Sequence, residues 1–419
     1  MNLEDLFGDL AGEPAPPEDE DIESGPAIAL VGCLLDELVA SRASALHLEP
    51  ADGGGLGVRL RVDGVLRPAS VASVPPALAR SVIARLKIVG MLDISERRRP
   101  QAGRFALERP PVELAIFTLP SVAGEAVVVR PTGLDGEPRG LHALGLELAD
   151  GAAIEAALEL ERGLVLVAGP ARAGKRTLIE ACLRRLTRPD RSVVAIGVAV
   201  RPIPGVIRVE PSGAAGFTTA GALAAALRCE ADVLAAGDIH GHETARLAVE
   251  TAAARGLVLG TIHTFDAPAT VGRLLDMGIE PFLVADALAL VLAVRLVRRL
   301  CAKCKAGSVP PPPEVIARLG AGLGPDRNGA AEPWERVYRA SGCPACGGTG
   351  YRGRLPIVER LEAGPAVRAA ITGAPGHALA DALRRAVPRS LRSAALELAR
   401  RGETSIEEAV RATPRPDAG

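Results

Sequence analysis

Two C-x-x-C pairs, Cys301-Ala-Lys-Cys304 and Cys343-Pro-Ala-Cys346, offer four thiolates, and each pair can grip one edge of a tetrahedron. Zinc held by four sulfurs has a closed coordination sphere, so the chemistry expected here is folding energy rather than catalysis. The competing reading, disulfides, requires an oxidising compartment; no positively charged start precedes an apolar run in this chain, so the metal is preferred. The other cysteines, Cys33, Cys182 and Cys229, lie in apolar helical contexts and are expected in the core. A second cluster reads Gly169-Pro170-Ala171-Arg172-Ala173-Gly174-Lys175-Arg176-Thr177. Glycines let backbone N–H groups converge on a phosphate, a helix N-terminus adds partial positive charge, and a lysine reaches the β and γ phosphates. Gly169, Gly174 and Lys175 supply these parts. Lys87, Lys175, Lys303 and Lys305 are the only lysines among 49 Lys and Arg residues, so a lysine at this place is informative. A phosphate loop normally follows its lysine with a Ser or Thr hydroxyl for Mg²⁺, and here Arg176 stands there. Without that hydroxyl the bare pattern is weakly specific, and a structural glycine turn is the alternative. Thr177 is one residue on, turned by about 100° around a helix and off the metal's face, although it can still touch the α-phosphate. Arg176 is expected to point toward the phosphates and compete with the metal.

The elements around these residues agree with that reading. Gly163 to Ala168 is an apolar run ending at the glycine loop, and a helix is expected from the loop to about Leu186. Further buried strands are expected over Val193 to Ile196, Val233 to Ala236 and Leu257 to Thr261, with helices between them, the pattern of a parallel α/β sheet. Asp238 closes the third run, where a carboxylate could hold metal or polarise an attacking water. His263 follows the last run; a histidine at a strand end can equally be bonded to backbone. Upstream, a helix over Ala27 to Arg42 and short alternating strands such as Gly57 to Val62 and Val112 to Phe117 suggest a smaller α+β domain.

At 419 residues the chain suits two or three domains at roughly 100 to 200 residues each. The expected divisions are an acidic, disordered arm at 1–25, an α+β domain at 26–130, a Gly/Pro linker at 131–143, the α/β domain at 144–299, a cysteine module at 300–360 with Pro310 to Pro313 as stiff spacer, and helices at 361–413. In the arm, Leu3, Leu6, Phe7 and Leu10 have helical spacing and could dock in a partner's groove, against the plainer reading of a solvated tail. Hydrophobic residues make up 48% but aromatics only 2%, so the cores must be aliphatic and alanine-rich. A formal charge of −1 and the lack of a basic stripe with interleaved aromatics argue against nucleic acid as partner. The longest apolar stretch, Phe282 to Val294, is interrupted by Asp286 and too short to span a bilayer, so a cytoplasmic protein is expected.

In order and content, several segments resemble the assembly ATPases of type II secretion and type IV pili. They are Ala43-Ser-Ala-Leu-His-Leu-Glu-Pro50, Val58-Arg-Leu-Arg-Val-Asp-Gly64, Arg85-Leu-Lys-Ile88, Leu92-Asp-Ile-Ser-Glu-Arg97 with Pro100-Gln101, Gly237-Asp-Ile-His-Gly-His-Glu-Thr-Ala245, Thr261-Ile-His-Thr-Phe-Asp-Ala267, Gly350-Tyr-Arg-Gly-Arg354 and Glu359. The likeness covers about residues 27 to 413. It implies an α/β fold: a RecA-like P-loop domain preceded by a smaller α+β domain, with an inserted tetracysteine zinc module and a helical C-terminal tail. It also implies ATP and structural zinc as ligands, a ring of six like or mixed subunits, and docking on an inner-membrane platform protein from the cytoplasmic face, with membrane contact only through partners. Residue by residue, it makes Lys175 the phosphate lysine, Arg59 and Arg61 candidate phosphate contacts, and His263 the histidine that senses the γ-phosphate.

The departures from the family's pattern cluster where hydrolysis would occur. Ala195-Ile-Gly-Val-Ala199 replaces an acidic box, Asp238 stands in place of a longer Glu, His240 and Gly241 replace an Arg-Asp pair, Ala115 an arginine and Ala102 an aspartate. A water-polarising group must come within about 2.6–3.2 Å of its target, which the shorter Asp238 is expected to miss. The expectation is therefore an ATP-binding ring subunit with weak or lost hydrolysis and little use for Mg²⁺. The alternatives are a fully active ATPase in which Asp238 and Thr177 take over the missing roles, and a non-enzymatic, zinc-stabilised regulatory ring subunit.

Overall fold

The computed structural model describes residues 25–109, 111–132, 140–198, 201–212, 216–308, 336–374 and 376–413. The acidic arm apart from Gly25, with its docking helix, most of the expected linker, Ala199 and the run Pro310 to Pro313 lie outside these residues. The described residues fall into two compact units, one ending at Thr132 and one beginning at Gly140.

In the first unit, helix α1 (Pro26–Ala40) is followed by strands β1 (Ala45–Pro50), β2 (Leu56–Val62) and β3 (Val65–Val74), helix α2 (Pro76–Val89), and strands β4 (Gln101–Glu108), β5 (Pro111–Ser121) and β6 (Gly124–Thr132). The strands form an antiparallel sheet of order β3-β2-β1-β6-β5-β4. Period-two alternation turns Leu46, Leu48, Val58 and Leu60 toward the helices, where they pack with Leu30, Leu34 and Leu38 of α1 and Val82 and Leu86 of α2. The same alternation places Arg59 and Arg61 on the other face. Arg59 ion-pairs with Glu49, and Arg61 Nη1 donates to the Gly64 carbonyl at 3.1 Å. Cys33, expected in the core, is exposed, because it shares a face with Asp36 and Ala40 at helical spacing rather than with the leucines.

Lys87 is the unusual core residue of this unit. Its side chain is 1% exposed, lies 2.7 Å from Glu125 and donates to the Glu96 carbonyl at 2.8 Å. Removing one member of such a pair strands the other charge away from water, so Lys87→Met is expected to cost about 3–5 kcal/mol. Denaturant unfolding of the full chain reads this directly; an unshifted midpoint would mean that the pair does not stabilise the unit.

The second unit begins with a short 3₁₀ turn, Leu141–Ala143, and helix α3 (Leu148–Leu158). It continues through β7 (Gly163–Ala168), α4 (Lys175–Leu186), β8 (Val193–Ile196), β9 (Val206–Val209), α5 (Thr219–Arg228), β10 (Val233–Asp238), α6 (His242–Ala254) and β11 (Leu257–Ile262). There follow α7 (Ala267–Asp276), α8 (Pro281–Ala287), β12 (Leu288–Leu300), β13 (Ala306–Ser308), β14 (Val337–Arg339), β15 (Tyr351–Glu362), α9 (Pro365–Gly373), α10 (Gly376–Ala386), α11 (Leu391–Arg400) and α12 (Ile406–Ala412). The sheet order is β15-β12-β7-β11-β10-β8-β9, parallel from β12 to β9, with β15 antiparallel on the β12 edge. Both faces are covered: Leu164, Leu166 and Ala168 of β7 join one core and Val165 and Val167 the other. A central strand buried on both sides must be apolar at every position, and β7 is. The apolar stretch from Phe282 divides into the short helix α8 and the long strand β12. Residues 351–360, grouped by sequence with the cysteine module, run as β15 along β12, so the module is carried between two neighbouring strands of the main sheet. Cys182 is buried as expected, whereas Cys229 is exposed because it falls after the last turn of α5. Among the described residues no helix is long and apolar enough to cross a membrane.

Candidate functional site

Ligands of open parallel sheets sit beyond the carboxyl ends of the strands, and the residues singled out in this unit converge there. β7 ends at Ala168, and the loop from Gly169 to Gly174 feeds directly into α4, whose first residue is Lys175. Gly169 has φ 152° and a Cβ there would lie 2.8 Å from the Val294 carbonyl oxygen, while Gly174, at φ 101°, turns the chain into the helix. Arg172, with φ 65°, adopts the left-handed conformation without being glycine, a local cost that the tight loop imposes.

Lys175 is buried, and its ammonium turns back over the loop. It donates to the Gly169 carbonyl at 2.6 Å and lies 3.2 Å from His263 Nε2. His263 Nε2 in turn lies 3.0 Å from Asp238 Oδ2, and Thr261 Oγ1 donates to Asp238 Oδ1 at 2.6 Å. Strand pairing explains the convergence: β11 lies between β7 and β10, so the ends of all three meet at one rim. Burial lowers the Lys175 pKa, with Arg295 adding to the effect and Asp238 opposing it. For Asp238, burial pushes upward, but the bonds from Thr261 and His263 outweigh it and hold the carboxyl below its ordinary value. The result is a chain of groups, Lys175 to His263 to Asp238, at the mouth of a glycine loop.

Arg176 and Thr177 are both exposed on the first turn of α4, and Arg176 has no side-chain partner among the described residues. An exposed guanidinium does not itself fill a metal's place, so the weight of any metal deficiency rests on the missing hydroxyl and on Asp238. At the end of β8, where the sequence lacks carboxylates, the chains are close-packed: a Cβ on Gly237 would lie 2.5 Å from the Gly197 carbonyl oxygen. His240 Nδ1 bonds its own strand end, 2.9 Å from the Asp238 carbonyl. Arg59 and Arg61 belong to the first unit and Lys175 to the second. Reading the sequence did not single out Arg295 or assign Thr261 a role of its own. Arg295 was legible as a charged residue inside the apolar run of β12, where burial must be compensated.

The four cysteines form a second site. Their sulfurs all lie within 4.8 Å of one another, with Cys301–Cys343 at 3.9 Å and Cys304–Cys346 and Cys343–Cys346 at 3.8 Å. Four sulfurs each about 2.3 Å from one zinc ion stand about 3.8 Å apart, so the set fits a tetrahedral ion. No disulfide links them. The Cys343 and Gly350 N–H groups donate to Cys346 Sγ at 3.2 and 3.1 Å. Although burial pushes that thiol up, these bonds, with those from the Cys343 and Cys304 thiols, pull it down to about 6. The module is tied to the C-terminal helices through Lys305 Nζ to the Gly402 carbonyl at 3.0 Å, and β12, which leads into it, through Arg298, which forks onto buried Glu408 at 2.8 and 3.0 Å.

The model of a family described as type II/IV secretion system protein matches residues 20–411. Type II secretion system protein E of Aeromonas hydrophila is 35% identical over 404 residues, 95% of this chain and 78% of its own. The type IV pilus assembly ATPase PilB of Thermus thermophilus is 35% identical over 411 residues, 97% of this chain and 45% of its own. Two solved structures share the fold. The Legionella pneumophila ATPase DotB has a TM-score of 0.63 at 15% identity, covering 96% of this chain and 97% of its own. The pilus retraction motor PilT with bound ADP has a TM-score of 0.60 at 19% identity, covering 91% and 96%.

Proposed function

The chain belongs to the type II/IV secretion system protein family, and on that premise we propose that it is the ATP-binding subunit of a secretion or pilus-assembly motor in which ATP hydrolysis is slow or lost. The observation that carries the nucleotide part is the position of Lys175. Its amine lies at the mouth of a glycine loop, at the N-terminus of α4, held by a backbone carbonyl and by His263. An arriving phosphate would offer that ammonium a better partner than a carbonyl, and the N–H groups of residues 174–177 at the start of α4 would cradle it. Arg59 and Arg61 would add phosphate contacts when subunits assemble into a ring of six, and His263 would report on the γ-phosphate.

Slow turnover follows from what surrounds Asp238. Both its oxygens are engaged, by Thr261 and His263, and the turn that should offer a metal-binding hydroxyl offers Arg176. The four cysteines would hold a structural zinc, and the ring would dock on an inner-membrane partner from the cytoplasmic side. A fully active ATPase is the second reading, favoured by one fact: the Asp238 side chain remains 46% exposed, within reach of a metal or water. Calorimetric titration of ATP with and without Mg²⁺, followed by phosphate release, separates the two. Binding that ignores Mg²⁺, abolished by Lys175→Ala, with negligible phosphate release, is the expected result; rapid Mg²⁺-dependent release would establish the active enzyme instead.

A further inference from the structure

The loop that carries His263 is held from below by a buried carboxylate that the site's chemistry does not use. Glu359, on β15, is 5% exposed. Its Oε1 accepts the Ala267 N–H at 2.8 Å and its Oε2 accepts the Leu391 N–H at 3.0 Å. Those two amides are the first residues of α7 and α11, so one carboxylate serves the N-termini of two helices far apart in sequence. Each would otherwise be a buried donor without a partner, since the first turn of a helix has no internal acceptor. The adjacent side-chain caps are occupied elsewhere: Asp266 accepts from Ala269 and Ser390 from Ser393. Beside Glu359, buried Arg295 of β12 donates to the Phe265 carbonyl at 2.6 Å and to the Val294 carbonyl at 2.8 Å. Between His263 and α7, the backbone is therefore fixed at Phe265 by Arg295 and at Ala267 by Glu359. Strand register extends the link, because Glu359 pairs with Ala293 and Ala293 with Ala168, the residue before the glycine loop.

We infer that Glu359 is a positioning residue of the nucleotide site: with Arg295 it fixes the loop that presents His263 to Lys175, and through Leu391 it ties that loop to the C-terminal helices. This rests on the nucleotide-binding reading above. The geometry requires the anion, since a protonated carboxyl has one hydroxyl that must donate and cannot serve two N–H groups equally well. Burial, reinforced by nearby Asp266 and opposed by the two N–H bonds and Arg295, raises the Glu359 pKa to about 7. The strut is thus complete above neutrality and loosened below it.

Glu359→Gln in the full chain tests the assignment, because glutamine keeps the shape but has one acceptor oxygen for two N–H groups. ATP affinity, by titration, is expected to fall on the order of tenfold at pH 8. In the wild type affinity should decline as pH falls through about 7, while in the variant that Glu359-dependent part of the decline should be gone. Hydrogen exchange without nucleotide should show residues 264–268 and 391–394 losing protection together, in the variant at pH 8 and in the wild type below neutrality. Equal affinity and an unchanged pH profile, or loss of protection at one helix only, would overturn the assignment. The exchange readout needs no ATP, so a wild type that fails to bind nucleotide defeats the nucleotide reading while leaving the strut testable. If the variant does not fold, the wild-type exchange profile against pH decides alone.

Discussion

Cys346→Ser is expected to strip zinc from the chain and to lower its melting temperature by roughly 6–12 °C, the equivalent of about 3 kcal/mol in a unit of this size. Structural zinc contributes about 10–16 kcal/mol in small fingers, where it replaces a core altogether. Here the loop is already anchored by the long β12–β15 pairing, so only part of that is at stake. Cys346 is the proposed ligand whose removal tests this. Its sulfur is buried, lies 3.8 Å from two other thiols and accepts two backbone N–H bonds, so the substitution disturbs the turn as well as the ion. The loss should spread to the C-terminal helices, because Lys305 joins the module to Gly402. Elemental analysis of purified protein gives the metal content and differential scanning calorimetry the stability. A wild type that carries no zinc, or a variant that melts with it, would remove the metal from the account.

What the sequence disclosed depended on how local each signal was. β7, β8, β10 and β11 were legible because strands buried on both faces admit only apolar residues, and the glycine loop because its conformation demands glycine. The cysteine pairs were legible because C-x-x-C spacing is set by the turn that brings both sulfurs to one ion. The placement of β15 was not, since its partner strand lies some fifty residues away and nothing within 351–362 distinguishes an arm of the cysteine module from an edge of the main sheet. Glu359 illustrates the same limit: its residue type fits an exposed strand position, and its two partners, Ala267 and Leu391, are backbone amides that leave no mark in sequence. Cys33 shows that composition alone misleads on a helix, where one step of phase separates the leucine face from the solvent.

The second large effect concerns the metal. Arg176→Thr combined with Asp238→Glu is expected to convert Mg²⁺-indifferent ATP binding into Mg²⁺-dependent binding and to raise phosphate release by about 10²-fold or more, the lower range for restoring a general base or water-positioning group. The two changes act on different defects. Threonine at 176 puts a hydroxyl on the first turn of α4, directly after the lysine that faces Gly169 and His263. Glutamate at 238 extends the carboxylate by one methylene beyond the position where Thr261 and His263 now hold both oxygens, so it can reach an attacking water without surrendering the strand end. Each single variant should gain little, because a metal without a positioned water, or a positioned water without a metal, leaves the reaction barrier nearly intact. Adding Lys175→Ala should silence the double variant, since the phosphates then lose the ammonium at the mouth of the glycine loop. Stopped-flow phosphate release at saturating ATP, with and without Mg²⁺, measures these four variants against the wild type. A double variant that binds Mg²⁺-ATP yet stays inert would place the deficiency elsewhere, most directly at the end of β8, where Gly197 and Val198 provide no carboxylate.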